Sequence, residues 1–315
     1  MTTERLDTLP PLPNRPQDGH KGTFGTVAVI GGAAGMHHDD AFEPTMLGAP
    51  ALAALGAIRS GCGLVKIAAP APIIEHVLTL APFATGYGLE VDHARSVIAA
   101  HAAPVIDELV RTSRAIVAGM GMGNTHSTAQ IIARLLAQED CPVVIDADGL
   151  NALCDLPGFD RDLRANAVLT PHPGEAKRLL AALSIEADPA GNRPKRAWAC
   201  SRLAQRLGCV VVLKGRGTVV SDGHRVWVCD RGSPALASGG TGDVLAGIIG
   251  SIIAQTHNQT RDAEGLDLLT AAAIGVQAHA IAGERWAESH KGEGGLIANE
   301  LPELLPEIFS ALRTR

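Results

Sequence analysis

The chain has 315 residues, 46% of them hydrophobic, enough for one large core or two small ones. Aromatic residues make up only 3% and the formal net charge is −6 with no basic tract, which argues against a nucleic-acid partner. The polar, proline-rich start has no apolar signal core, and no apolar run reaches the roughly 18–20 residues of a membrane span, so a cytoplasmic protein with no membrane partner is expected.

Residues 1–20 read as an N-terminal arm or poorly ordered leader, and 21–315 as a single domain. From Thr26, short β-branched runs alternate with stretches of helical spacing. The strand-like runs are Thr26–Ile30, Leu64–Ala68, Ala115–Ala118, Pro142–Ile145, Ala167–Thr170 and Cys209–Leu213. Most are continuously apolar, as strands covered on both faces are. The helical stretches between them are Gly48–Ser60, Ile73–Leu80, Ser127–Gln138, Gly174–Leu183 and Lys195–Leu207. This alternation predicts a mostly parallel central sheet with helices on both faces. Asp222-Gly223-His224 then separates Thr218–Ser221 from Arg225–Cys229, which predicts a C-terminal antiparallel hairpin. Helices are expected at Gly242–Gln255, Leu266–Gly283 and Glu300–Arg313. The six cysteines (Cys62, Cys141, Cys154, Cys200, Cys209, Cys229) form no C-x-x-C pair and read as buried thiols of a reducing compartment.

Several strand ends carry candidate chemistry. Ser238-Gly239-Gly240-Thr241-Gly242-Asp243 opens an apolar helix. Its glycines permit a tight turn, and the free N–H groups of a helix start attract an anion. Asp243 could act as base on a hydroxyl held there, although a first-turn Asp is also an ordinary helix-dipole residue. Lys214-Gly215-Arg216-Gly217-Thr218 follows a strand and offers two cations to nucleotide phosphates; the alternative is a turn with solvated cations. Thr170-Pro171-His172-Pro173-Gly174-Glu175 is stiffened by prolines. There Glu175 could order a magnesium-bound water, or simply serve the helix dipole. Asp146-Ala147-Asp148 puts two acids at a strand end, and Gly119-Met120-Gly121-Met122-Gly123 would admit a ligand to the backbone. The segment Gly25–Gly35 lacks G-x-G-x-x-G spacing, so hydride transfer ranks low. His37-His38-Asp39-Asp40 lacks a partner cluster and reads as a solvated loop rather than a metal site.

In this order, the segments resemble the ADP/ATP-dependent NAD(P)H-hydrate dehydratases of the ribokinase-like superfamily. The matching residues also include His20-Lys21-Gly22-Thr23-Phe24-Gly25, Ile30-Gly31-Gly32, Gly48-Ala49-Pro50, Ala57–Val65 and Gly149-Leu150-Asn151. The resemblance spans roughly residues 20–310. It implies a ribokinase-like fold and repair of damaged cofactors: ADP or ATP phosphorylates the hydroxyl of NADH hydrate or NADPH hydrate, and loss of phosphate restores the nicotinamide. It further implies Gly239–Gly242 as the anion hole, with Gly240, Gly242 and Asp243 catalytic. Ala49, Gly123, His172 and Asp243 would bind the hydrate. Lys214, Gly215, Arg216, Gly217, Thr218 and Gly242 would bind the nucleotide. Glu175 would hold Mg²⁺ through water, and the assembly would be a homotetramer.

Two features depart from the family pattern. The usual G-P-G-x-G loop lacks its proline at Gly119–Gly123, and Met36–Pro44 is inserted before the helix that carries Ala49. No residues remain for the epimerase domain often fused in this family. The alternatives are a superfamily kinase of a vitamin precursor or other small hydroxymethyl substrate, and a nucleotide-binding regulator without turnover.

Overall fold

The computed structural model describes residues 3–35, 37, 38, 41, 42, 44–257 and 265–313. Parts of two expectations fall outside them: Asp39 and Asp40 of the His37–Asp40 loop, and Met36, Asp39, Asp40 and Glu43 of the insertion.

All six expected strand runs form strands, each within two residues of its expected bounds. They join a ten-stranded sheet. From one edge the order is Glu4–Arg5, Arg225–Val228, Val219–Ser221, Val210–Leu213, Ala167–Leu169, Val143–Ile145, Ala115–Ala118, Thr26–Ile30, Leu64–Pro70 and Thr85–Leu89. Pairing is parallel except on either side of Val219–Ser221, where the expected hairpin lies. The chain starts at Thr26–Ile30, moves outward to Leu64–Pro70 and Thr85–Leu89, then returns to add Ala115–Ala118 on the other side. The order therefore reverses between Thr26–Ile30 and Ala115–Ala118. A crevice opens beyond the carboxyl ends of two such strands, and ligands of open α/β sheets bind there.

Side chains alternate between two cores. Val27 and Val29 face one, with the helices Gly48–Arg59, Thr241–Thr256, Leu268–His290 and Leu301–Arg313. Ala28 and Ile30 face the other, with Ala99–Thr112, His126–Leu136, Asp148–Cys154, Pro173–Ala182 and Arg193–Leu207. The scarcity of aromatics follows from how closely these helices approach. A Cβ on Gly247 would strike the Ala53 carbonyl, and one on Gly56 would lie 2.5 Å from the Val244 carbonyl oxygen. The helix that begins at the anion turn thus packs backbone to backbone on the helix that carries Ala49.

Two expectations need correction, and further elements were not expected. Residues 3–20 are not a loose leader: Glu4–Arg5 pairs in parallel with Arg225–Val226, Leu12 is buried, and its N–H donates to the Leu312 carbonyl. The helix expected to end at Gly283 runs on to His290 and stops at Lys291, in the left-handed region at φ 51°. Gly283 is not a terminator; its missing Cβ makes room for the Leu236 side chain. The unexpected elements include strand Thr85–Leu89 and helices Ala99–Thr112 and Asp148–Cys154. The first holds two glycines, the second Pro104, and the third is only two turns long.

Candidate active site

The turn before the helix Thr241–Thr256 is built for an anion. Gly240 sits at φ 89°, where a side chain is strained, and a Cβ there would meet Leu52 Cδ1 at 2.6 Å and Ala298 Cβ at 3.1 Å. Thr241 Oγ1 donates to the carbonyls of Leu236 and Ser238 at 2.8 and 2.9 Å, and Ser238 Oγ to that of Leu296 at 2.7 Å. Below the turn, buried His279 places Nε2 2.9 Å from the Thr241 carbonyl. A carbonyl only accepts, so Nε2 carries the hydrogen. Burial, offset in part by this bond, brings His279 down to about 4. With these groups satisfied, the N–H groups of Gly239, Gly240, Gly242 and Asp243 donate to no acceptor among the described residues. They are the unpaired donors of a helix start, at its positive dipole end.

Asp243 stands in the first turn of this helix. Burial, and then the neighbouring charge of Asp146, raises its carboxyl to about 7, with Lys214 opposing and Asp148 adding to the rise. A carboxylate near neutrality is suited to taking a proton at physiological pH.

Lys214 is not a solvated loop cation. Its ammonium turns inward and lies 2.5 Å from Asp146 Oδ1. A Cβ on Gly242 would lie 3.5 Å from Lys214 Nζ, so the cation rests over the first turn of the anion helix. Burial disfavours its charge, yet the carboxylates of Asp146 and Glu175, with Asp243 beyond them, hold it above the ordinary lysine value. Glu175 is itself raised, chiefly by burial, against the pull of Lys214. The other loop cation, Arg216, is exposed.

The loop Gly215–Thr218 is braced from below by a residue that sequence reasoning missed. Arg196 donates through NH2 to the carbonyls of Leu213 and Lys214 at 3.1 and 3.0 Å, and through NH1 to Pro189 at 2.9 Å. Gly215 adopts φ 124°, with Arg196 NH2 3.3 Å from where its Cβ would stand, and Thr218 Oγ1 donates to the Gly215 carbonyl at 2.9 Å. The only local signal was an arginine on the apolar side of a helix.

His172 and Glu175 form a reciprocal cap. His172 Nδ1 accepts from the N–H groups of Gly174 and Glu175 at 2.9 and 3.2 Å, and Glu175 Oε2 accepts from the His172 N–H at 2.7 Å. His172 Nε2 lies 3.3 Å from Glu175 Oε1. Nδ1 is therefore engaged in the cap, and Nε2 stands beside Glu175 Oε1. The ordinary helix-end role and the site role coincide here.

The two acids of Asp146-Ala147-Asp148 diverge. Between them Ala147 holds φ 50° and ψ −122°, a conformation that side-chain-bearing residues rarely adopt. Asp146 is buried on Lys214, while Asp148 Oδ2 accepts the Gly123 N–H at 2.9 Å. Gly119, at φ 115°, lets its backbone lie against the Asp146 carbonyl. The proline-free loop is thus fixed through Asp148, and Gly123 keeps only its carbonyl for a ligand. Ala49 is buried; its Cβ lies 3.3 Å from where a Cβ on Gly121 would stand, so it shapes the crevice without a polar contact.

Lys214, His172 and Glu175 therefore stand beyond neighbouring strand ends, beside the helix start that carries Gly240, Gly242 and Asp243, with Gly123 joined to the group through Asp148. His20–Gly25 stands apart, at the start of strand Thr26–Ile30 and thus at the opposite end of the sheet.

A family model described as NAD(P)H-hydrate dehydratase matches residues 43–307. The ADP-dependent (S)-NAD(P)H-hydrate dehydratase of Neisseria meningitidis serogroup B is 36% identical over 296 residues, covering 91% of this chain and 86% of that protein. The bifunctional NAD(P)H-hydrate repair enzyme of Coxiella burnetii is 36% identical over 297 residues, and there the alignment covers 93% of this chain. The chain spans about half the length of that bifunctional relative, 52%. Among solved structures, the ADP/ATP-dependent NAD(P)H-hydrate dehydratase from Bacillus subtilis, co-crystallized with ATP/Mg²⁺, superposes with a TM-score of 0.72 at 29% identity, over 98% of this chain and 100% of that one. A ribokinase-like superfamily protein from Enterococcus faecalis gives 0.74 at 22% identity, over 97% and 93%, which places the fold in that class.

Proposed function

The chain belongs to the NAD(P)H-hydrate dehydratase family, and from that membership we propose that it dehydrates the S-forms of NADH hydrate and NADPH hydrate. ADP or ATP is the phosphoryl donor, and the products are NAD(P)H, phosphate and AMP or ADP. The observation that carries this reading is the pairing of unpaired backbone donors at Gly239–Asp243 with the Asp243 carboxyl held near 7. A kinase-like step needs both: donors where charge develops on the transferring phosphoryl group, and a base for the attacking hydroxyl.

In this reading the hydrate lies in the crevice between Ala49, Gly123, His172 and Asp243. The nucleotide lies along Lys214–Thr218, with its transferring phosphate at the anion turn. Asp243 takes the proton of the hydrate hydroxyl as the phosphoryl group arrives. Lys214, kept charged by Asp146 and Glu175, stabilises negative charge above the first helical turn. The phosphate then leaves and the ring double bond is restored.

Among the described residues no three His, Cys, Asp or Glu side chains could hold a metal ion. In this reading Mg²⁺ would be carried mainly by phosphate and water, with Glu175 reaching it through water. Such an ion would neutralise phosphate charge. A cytoplasmic homotetramer completes the proposal; among the described residues no helix is long and apolar enough to cross a membrane.

The test supplies NADH hydrate, Mg²⁺ and ADP or ATP, and follows the absorbance of reduced nicotinamide. Recovery with one nucleotide, lost in Asp243→Asn, is the expected outcome. No recovery with either nucleotide would sink the reading.

A further inference from the structure

Dehydration moves two protons, one from the hydroxyl and one from carbon, and we infer that Asp148 is the base that takes the second; the inference rests on the function proposed above. In the hydrate, the hydroxyl stands on the ring carbon beside the ring nitrogen. Phosphoryl transfer leaves the hydroxyl proton on Asp243. The carbon–oxygen bond to phosphate then breaks as the nitrogen lone pair forms a C=N bond. To restore the dihydronicotinamide, the next ring carbon must lose a proton. Its C–H electron pair becomes the ring C=C bond, and the nitrogen regains its lone pair. Asp243 is already protonated at that point. While it holds that proton it cannot take a second one; Asp148 takes the carbon-bound proton, and the Asp243 proton leaves with the phosphate.

The other ionisable side chains of the cluster are committed. Asp146 is bound to Lys214 at 2.5 Å, and Lys214 is an ammonium with nothing to accept a proton. His172 Nδ1 already accepts two N–H groups in the cap, Glu175 Oε2 accepts the His172 N–H, and Glu175 Oε1 lies 3.3 Å from His172 Nε2. Asp148 differs. Its Oδ2 is fixed by the Gly123 N–H at 2.9 Å, and its Oδ1 makes no hydrogen bond among the described residues. Its charge adds to the rise at Asp243. The side chain is neither fully exposed nor buried, and the turn at Ala147 fixes its direction. A carboxylate pinned through one oxygen and open at the other is the arrangement that a positioned base requires.

The test is Asp148→Asn, because its amide oxygen can still accept the Gly123 N–H while the base is lost. Single turnovers with NADH hydrate, Mg²⁺ and ADP are quenched and assayed for AMP and for reduced nicotinamide. The expected result is AMP formation within a few-fold of the unaltered chain and recovery of reduced nicotinamide slowed about 100-fold. Substrate deuterated at the carbon that loses the proton should then show an isotope effect on recovery and none on AMP formation. Equal slowing of both steps would make Asp148 a mere support for the Gly123 loop and overturn the inference. Unchanged recovery would overturn it as well. If the unaltered chain forms neither AMP nor reduced nicotinamide, the parent reading fails, and the base with it.

Discussion

Replacing Asp243 with Asn should make the protein more stable at neutral pH while abolishing turnover. The folded state raises this carboxyl from 3.8 to about 7, mainly because burial disfavours its charge. The unfolded chain gives up the proton near the lower value. Between the two, the folded state binds the extra proton, so the stability that this group contributes is full below about pH 4 and is lost as pH rises through about 7. A shift of roughly three units, at about 1.4 kcal/mol each, makes the loss about 4 kcal/mol. Asn mimics the protonated form and does not titrate. The stability difference between variant and unaltered chain should therefore grow from about pH 4 to about pH 7 and then level off. Urea denaturation of both proteins across that range measures it, and other titrating groups cancel in the difference. A constant difference over the whole range would refute the buried-carboxyl account. The unaltered chain should also gain kcat/KM as pH rises through about 7, because only the carboxylate accepts the hydroxyl proton.

Lys214→Met should destabilise the protein by about 3–5 kcal/mol by stranding the Asp146 charge, and adding Asp146→Asn should recover most of that in chemical denaturation. His279→Gln should keep a donor toward the Thr241 carbonyl without titrating. Because burial brings His279 from 6.5 to about 4, its contribution is present above the upper value and lost as pH falls through the lower, so the variant should lose less stability than the unaltered chain between about pH 6 and 4. Ala147→Gly should relieve the φ 50° strain and, after the entropy penalty of glycine, raise stability by about 1 kcal/mol or less. It should lower kcat because Asp146 and Asp148 are held less firmly; a loss of several kcal/mol instead would show that the turn is unstrained.

The parts of the fold legible in the sequence were those with a strong local signal. Continuous β-branched runs such as Val210–Leu213 suit strands covered on both faces, and Asp222-Gly223 marks the hairpin between Val219–Ser221 and Arg225–Val228. What escaped lacks such a signal. Glu4–Arg5 is a strand only because the free edge of Arg225–Val228 offers it partners. At the site, the strand-end glycines and Asp243 could be recognised, but their neighbours could not. Lys214 and Asp146 are 68 residues apart, and His279 lies 38 residues beyond the carbonyl it supports. The first pair is set by which strand ends adjoin and the second by how two helices pack, and short motifs carry no trace of either.

The motif His20–Gly25 carried part of the resemblance and yet stands far from Asp243, and its packing gives a reason. Gly25, at φ 76°, lies against the Ala254 carbonyl near the last turn of the anion helix, where a Cβ could not fit. Beside it the Gly63 N–H donates to the Gly25 carbonyl at 2.9 Å, and the Cys62 N–H to Ser251 Oγ at 3.0 Å. Gln255 Nε2 donates to the Ser60 carbonyl at 3.0 Å, and Arg15 reaches both Gly61 and Gln255 while lying over the Phe24 ring. The carboxyl end of the helix is thereby tied to the base of the sheet, while its amino end keeps unpaired donors. Donors aimed at a transferring phosphate work only if they do not move to meet it. Residues 20–25 therefore serve the site through the helix between them, by anchoring the end opposite Asp243.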